Sequence, residues 1–174
     1  LLEKPLTKTI AQAEELFELA YKNNCTLHVG HVERFNGAVQ ELSSIMKEPF
    51  LIESHRMGPF APRVAQDSVI LDLMIHDLDI VLNLIDAPVQ EIHAVGQSIY
   101  SSTIDIANVQ IKFSNGVCAS IMSSRASQVK QRSMAIHQKE SYIHLNFMTQ
   151  DIAIHKHATS SVQVGTDQLK YKQE

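Results

Sequence analysis

Apolar residues recur three and four apart at Ile10, Ala13, Phe17, Ala20 and Tyr21, with Glu14, Glu15 and Glu18 between them. That spacing predicts an amphipathic helix over residues 9–23, ended by Asn23-Asn24. Residues 25–32 follow as a short apolar run of strand length. Asn36 is placed to cap a second helix reaching about Met46, with Val39, Leu42, Ser43 and Met46 on its inner face, and Pro49 stops it. Residues 50–57 read as a strand, and Gly58-Pro59-Phe60-Ala61-Pro62 as a loop, since two prolines around a glycine suit neither period. From Ser68 to Asp86 the helical spacing returns, closed by Pro88; beyond it the period becomes two. Segments 89–99, 107–113, 117–123, 133–137, 142–147 and 151–155 alternate or run apolar at strand length, and Ser114-Asn115-Gly116 joins two of them as a tight hairpin. Helices first and a meander of strands afterwards predict an α+β fold, a mostly antiparallel sheet with helices on one face.

The segment from Ser68 to Asp86 carries the most information. Projected at about 100° per residue, Leu71, Ile75, Leu78, Leu82 and Ile85 make one apolar flank, Val69, Leu73, Ile80 and Leu84 another, and Ile70, Met74 and Val81 fill the opposite side. Between the flanks runs one polar stripe, Asp72, His76, Asp79 and Asn83, with Asp77 outside it. A helix apolar nearly all round is a buried helix, so the stripe either faces a cavity or is the helix's wet edge. Wet edges favour Lys, Glu and Gln; Asp, His and Asn are poorer helix formers, which speaks for a site. A carboxylate one turn from an imidazole can fix its tautomer and raise its basicity, and that suits a general base for an alcohol proton.

A length of 174 residues allows one domain with a sizeable core, and a net charge of -4 spread along the chain gives no footprint for nucleic acid and no polybasic segment for a membrane surface. The longest apolar stretch is broken by Asp72, His76, Asp77, Asp79 and Asn83, which a bilayer span would not tolerate. A cytoplasmic protein with a small-molecule ligand is the expectation. Cys25 and Cys118 fit no metal spacing and read as small core thiols. Nine histidines also admit a metal reading, through Asp72 with His76 or His155 with His157, though spacing fixes no third ligand. A further alternative is a non-catalytic interaction or ligand-binding module built on the strands from Val89 onward.

Three motifs occur in order: Glu3-Lys4-Pro5, Gly30-His31-Val32-Glu33-Arg34-Phe35-Asn36, and Asp72-Leu73-Met74-Ile75-His76-Asp77. Their order and spacing resemble those of the Gfo/Idh/MocA oxidoreductases along essentially the whole chain. Within that family, Arg56-Met57-Gly58-Pro59-Phe60-Ala61-Pro62-Arg63 followed by Val69-Ile70-Leu71-Asp72-Leu73 is similar to the branch that includes UDP-N-acetylglucosamine 3-dehydrogenases. The resemblance implies hydride transfer between a hydroxyl carbon of a sugar, nucleotide-sugar or cyclitol and the nicotinamide of NAD or NADP. It implies residues 1–33 as the end of a Rossmann dinucleotide-binding domain and 34–174 as an α+β substrate-binding and oligomerisation domain, with a homodimer or tetramer formed through the sheet. By motif position Lys4, Asp72 and His76 are catalytic, with Asp72 orienting His76 and Lys4 stabilising the alkoxide; Glu3, Lys4 and Pro5 contact cofactor. Arg34, Asn36 and Arg63 are candidate ligands for polar or phosphorylated parts of the substrate, with a salt bridge or cap as the ordinary alternative, and His31 is expected in the core.

Departures accompany the likeness. No glycines stand in a Gly-x-Gly-x-x-Gly arrangement, so most of the cofactor is expected to be held elsewhere. Gly37 replaces a common proline and Ser68 a common glycine. The opening on Leu1 without methionine, and a tail Lys170-Tyr171-Lys172-Gln173-Glu174 that ends before an expected closing helix, read as truncation at both ends.

Overall fold

Thr9 starts the first helix, α1 (Ile10–Lys22), with a capping box: its hydroxyl accepts the Gln12 N–H while the Gln12 side chain accepts the Thr9 N–H. The helix forms where the spacing predicts it, yet it buries no residue; Ile10 is 79% and Tyr21 87% exposed. In this computed structural model, which describes residues 1–156, nothing covers its apolar face. The run at 25–32 yields only a two-residue strand, β2 (Val29–Gly30), which pairs in parallel with β1 (Leu2–Glu3). It stops there because Val32–Phe35 winds into a turn of 3-10 helix. Asn36 then caps α2 (Gly37–Ile45), accepting the Ala38 N–H and donating to the Phe147 carbonyl.

Seven strands build the main sheet: β3 (Pro49–Met57), β4 (Val89–Gln97), β5 (Ile106–Phe113), β6 (Cys118–Ser124), β7 (Gln131–Gln138), β8 (Ser141–Asn146) and β9 (Asp151–Lys156). Their spatial order is β4-β5-β6-β3-β7-β8-β9, antiparallel throughout except where β3 runs parallel to β6. The helical segment after β3 carries the chain over one face to the far edge, which leaves the first strand of the sheet at its centre. Alternation does the rest. Ile52, Ser54 and Arg56 of β3 point under the helices and are buried, while Leu51, Glu53, His55 and Met57 face the open side. The core lies between the covered face and α3 (Ile75–Leu84), with Leu42, Ile52, Met74, Ile80, Phe113, Ile121, Ile136 and Leu145 essentially inaccessible.

The β5–β6 hairpin turns at Gly116, whose φ of +89° lies in the left-handed region, with the Asn115 side chain accepting the Val117 N–H. A β-branched side chain is strained there, so Gly116→Val is expected to cost about 1–3 kcal/mol, read as a lowered urea midpoint.

Neither cysteine is a core thiol. Cys118 faces the open side opposite Leu51 and is half-exposed, and Cys25 is exposed just beyond α1. Among the described residues no helix is long and apolar enough to cross a membrane, and no group of three or more His, Cys, Asp or Glu side chains could hold a metal ion. His157, invoked for one metal reading, and the tail from Lys170 to Glu174 lie outside the described residues.

Candidate active site

The segment before α3 is not α-helical. Over Ile70–Met74 the backbone widens into a π turn, in which the Ile75 N–H reaches back to the Ile70 carbonyl. Such turns are rare and frequent at functional sites. Here the Asp72 carbonyl accepts a hydrogen bond from Lys4 Nζ at 2.5 Å, and its carboxylate Oδ1 lies 3.8 Å from the same ammonium. A lysine at the end of β1 thereby reaches a helix 68 residues further along the chain.

Lys4, Asp72 and His76 open onto one cavity of about 360 Å3, between the π turn, the end of β3, the 58–64 loop and the start of β7. Arg63 lines it too. Arg34 and Asn36 do not: Arg34 grips Asp79 bidentately at 2.7 and 2.5 Å, and Asn36 is spent as a helix cap. Glu3 packs beside Gly30, where an added Cβ would meet its carboxylate oxygen at 3.0 Å. His31 is half-buried, its Nδ1 3.5 Å from Asp79 Oδ1 but without a hydrogen bond.

The polar stripe is used unevenly. Asn83 is exposed, and Asp79 serves Arg34. The expected bond between Asp72 and His76 is not made: Asp72 turns to Lys4, and His76 Nδ1 is buried with no partner. The π turn explains this, because it breaks the α register on which a one-turn spacing between the two residues depends.

Asp77, outside the stripe, is fully buried and holds Arg56 bidentately, Nε to Oδ2 at 2.7 Å and Nη2 to Oδ1 at 3.1 Å. Arg56 Nη1 also reaches Glu33 at 3.0 Å, and its guanidinium lies over the Phe147 ring. Sequence reasoning missed this pair. The signal was present: an acid on the apolar side of a buried helix, and an arginine at an inward position of β3, each need a partner. A second missed pair supports the loops at the cavity mouth. Arg125 donates to Asp105 at 2.7 Å and to the Val64 carbonyl at 2.6 Å, while Asp105 accepts the Ile99, Tyr100 and Ser101 N–H groups. Burial opposes its charge, but the backbone N–H groups and Arg125 hold the Asp105 carboxyl well below the usual carboxylate range.

Electrostatics keep the imidazole neutral. Burial first, then Arg56, Lys4, Arg132 and His31, push the His76 pKa down to about 3. Burial also lowers Lys4, opposed by Asp72 and assisted by Arg56. Because His76 resists protonation when folded and accepts it freely when unfolded, it contributes a stability loss that begins below about pH 6.5 and grows until about pH 3. His76→Gln is therefore expected to flatten the acid side of a plot of urea midpoint against pH; an unchanged slope would show the imidazole to be solvated.

Comparison with known proteins agrees with this architecture. Residues 35–144 match the model of the GFO/IDH/MocA C-terminal domain. UDP-N-acetylglucosamine 3-dehydrogenase of Acidithiobacillus ferrooxidans is 32% identical over 163 residues, covering 93% of this chain and 52% of that protein. Its solved structure superposes with a TM-score of 0.82 over 90% of this chain and 52% of that one. An inositol dehydrogenase homologue from Azotobacter vinelandii, solved with NADH and myo-inositol, shares the fold with a TM-score of 0.80 at 18% identity, over 91% of this chain and 47% of that one. The chain thus spans about half the length of the relatives it matches. The chain belongs to the GFO/IDH/MocA family, with residues 35–144 forming its C-terminal domain.

Proposed function

We propose that this chain is the substrate-binding side of an NAD(P)-dependent dehydrogenase that oxidises a hydroxyl carbon of a sugar or nucleotide-sugar, with C3 of UDP-N-acetylglucosamine as the favoured target. One observation carries the reading: a lysine just after β1 and a neutral histidine from α3, distant in sequence, line the same ligand-sized cavity. The similarity to the Acidithiobacillus ferrooxidans enzyme supports the substrate.

The proton chemistry follows from this chain's own groups. With the substrate hydroxyl in the cavity, neutral His76 accepts its proton, and the Lys4 ammonium stabilises the negative charge that develops on that oxygen. Asp72 holds Lys4 through carbonyl and carboxylate together. Nicotinamide, when bound, supplies the two-electron hydride acceptor. Lys4 lines the cavity and, with Glu3 and Pro5 beside it in sequence, is the proposed contact for its near end; the lack of a glycine-rich turn leaves the remainder to a nucleotide-binding half. The uncovered apolar face of α1 suits packing against that half, with residues 1–33 belonging to it and 34–174 to the substrate domain.

The open face of the sheet, with Glu53, His55, Met122, His137, Tyr142 and His144 half-exposed, is the proposed contact between copies in a cytoplasmic dimer or tetramer. Substrate deuterated at C3 tests the enzymatic reading. The complete enzyme should move the label to the reduced nicotinamide of NAD or NADP; label retained on the sugar would overturn it.

A further inference from the structure

Six cationic side chains line the cavity, Lys4, Arg56, Arg63, Arg125, Lys130 and Arg132, against the single carboxylate of Asp72 among its lining residues. Three have partners: Lys4 has Asp72, Arg56 has Asp77 and Glu33, and Arg125 has Asp105. Among the described residues Arg63, Lys130 and Arg132 make no salt bridge and no side-chain hydrogen bond, although all three border the same concavity. An exposed cation in water needs no partner, and Arg63 or Lys130 alone would mean nothing. Arg132 is different. It is half-buried, stands directly opposite Arg56 across the β3–β7 pair, and is close enough to His76 to help keep it unprotonated. Like charges facing each other across strands are destabilising.

The cations also sit on fastened backbone. Arg125 holds the Val64 carbonyl beside Arg63, and the Gly58 carbonyl accepts the Ser127 N–H at the base of the loop leading to Lys130. A cleft of one charge sign with apolar walls focuses its field on a ligand of the opposite sign.

We propose that Arg63, Lys130 and Arg132 form a phosphate-binding subsite, so that this cavity selects phosphorylated sugars over neutral sugars and cyclitols. The inference rests on the dehydrogenase reading only for where the reacting carbon lies, between Lys4 and His76. A phosphate among these cations relieves the Arg56–Arg132 opposition and part of the repulsion that holds His76 unprotonated, which makes the imidazole a better proton acceptor once substrate is bound.

Calorimetric titration of the complete enzyme tests this with UDP-N-acetylglucosamine, N-acetylglucosamine 1-phosphate, N-acetylglucosamine, myo-inositol and glucuronate. At least one phosphorylated sugar should bind tenfold or more tighter than the neutral compounds and glucuronate, with an affinity that falls as salt is raised. The first two probes separate a diphosphate preference from a monophosphate one. Arg63→Gln with Lys130→Gln, both at exposed positions, should weaken that binding at least tenfold, as should Arg132→Gln. Equal or tighter binding of a neutral sugar or glucuronate, an affinity the changes leave intact, or no binding of either phosphorylated sugar would overturn the subsite. Phosphate-dependent binding in an enzyme without hydride transfer would keep the subsite and remove the dehydrogenase reading; turnover of a neutral sugar untouched by these changes would do the reverse.

Discussion

Replacing His76 by Ala in the complete enzyme is expected to lower kcat by about 10²- to 10⁴-fold, the usual contribution of a positioned acid or base, with substrate and cofactor affinity changing little. The imidazole is neutral at working pH, with Nδ1 sealed against the protein, and it shares its cavity with Lys4. In alcohol oxidation a proton must leave the hydroxyl oxygen as the hydride leaves carbon, and the lining holds no better neutral acceptor. The appearance of reduced nicotinamide under saturating substrate reports the effect. A variant that keeps more than about a tenth of kcat would move the base elsewhere. The first suspect would then be Lys4, which burial also shifts toward its neutral form.

The largest effect on stability is expected at Asp77. Asp77→Ala leaves Arg56, itself buried, without its bidentate partner and with only Glu33 in reach. Breaking a buried pair from one side costs about 3–5 kcal/mol, because the remaining charge stays desolvated. Urea unfolding should show that loss as a lower midpoint, and Arg56→Met combined with Asp77→Leu should recover much of it. A single variant within about 1 kcal/mol of the parent would mean that water or Glu33 already satisfies Arg56. The pair also bears on the site, since Arg56 lines the cavity and helps set the imidazole's charge.

Period and turn chemistry made most of the fold legible. Helix α1, the Asn36 cap, α3 and the hairpin at Gly116 lie where spacing puts them, since each is decided by residues close in sequence. The placement of β3 between β6 and β7 was not legible, because strand order depends on how the chain crosses the sheet rather than on any local pattern. The site divides in the same way. Lys4, Asp72, His76 and Arg63 share the cavity, whereas Arg34 is consumed by Asp79, a stripe residue that sequence alone could not separate from the others. The projection assumed an ideal α-helix, and one π turn at Ile70–Met74 was enough to turn Asp72 from His76 to Lys4. Lys130 and Arg132 carried no signal of their own; only the meeting of β7 with the π turn gives them meaning.

Histidine-ring NMR of the chain during titration with UDP-N-acetylglucosamine puts the shared cavity to the most direct test, with the His76→Gln spectrum identifying the relevant signal. Its ring resonances should shift progressively to saturation, while those of exposed His93 at the sheet edge stay in place. A His76 signal that titrates with pH like a free imidazole and does not move with the sugar would contradict the account.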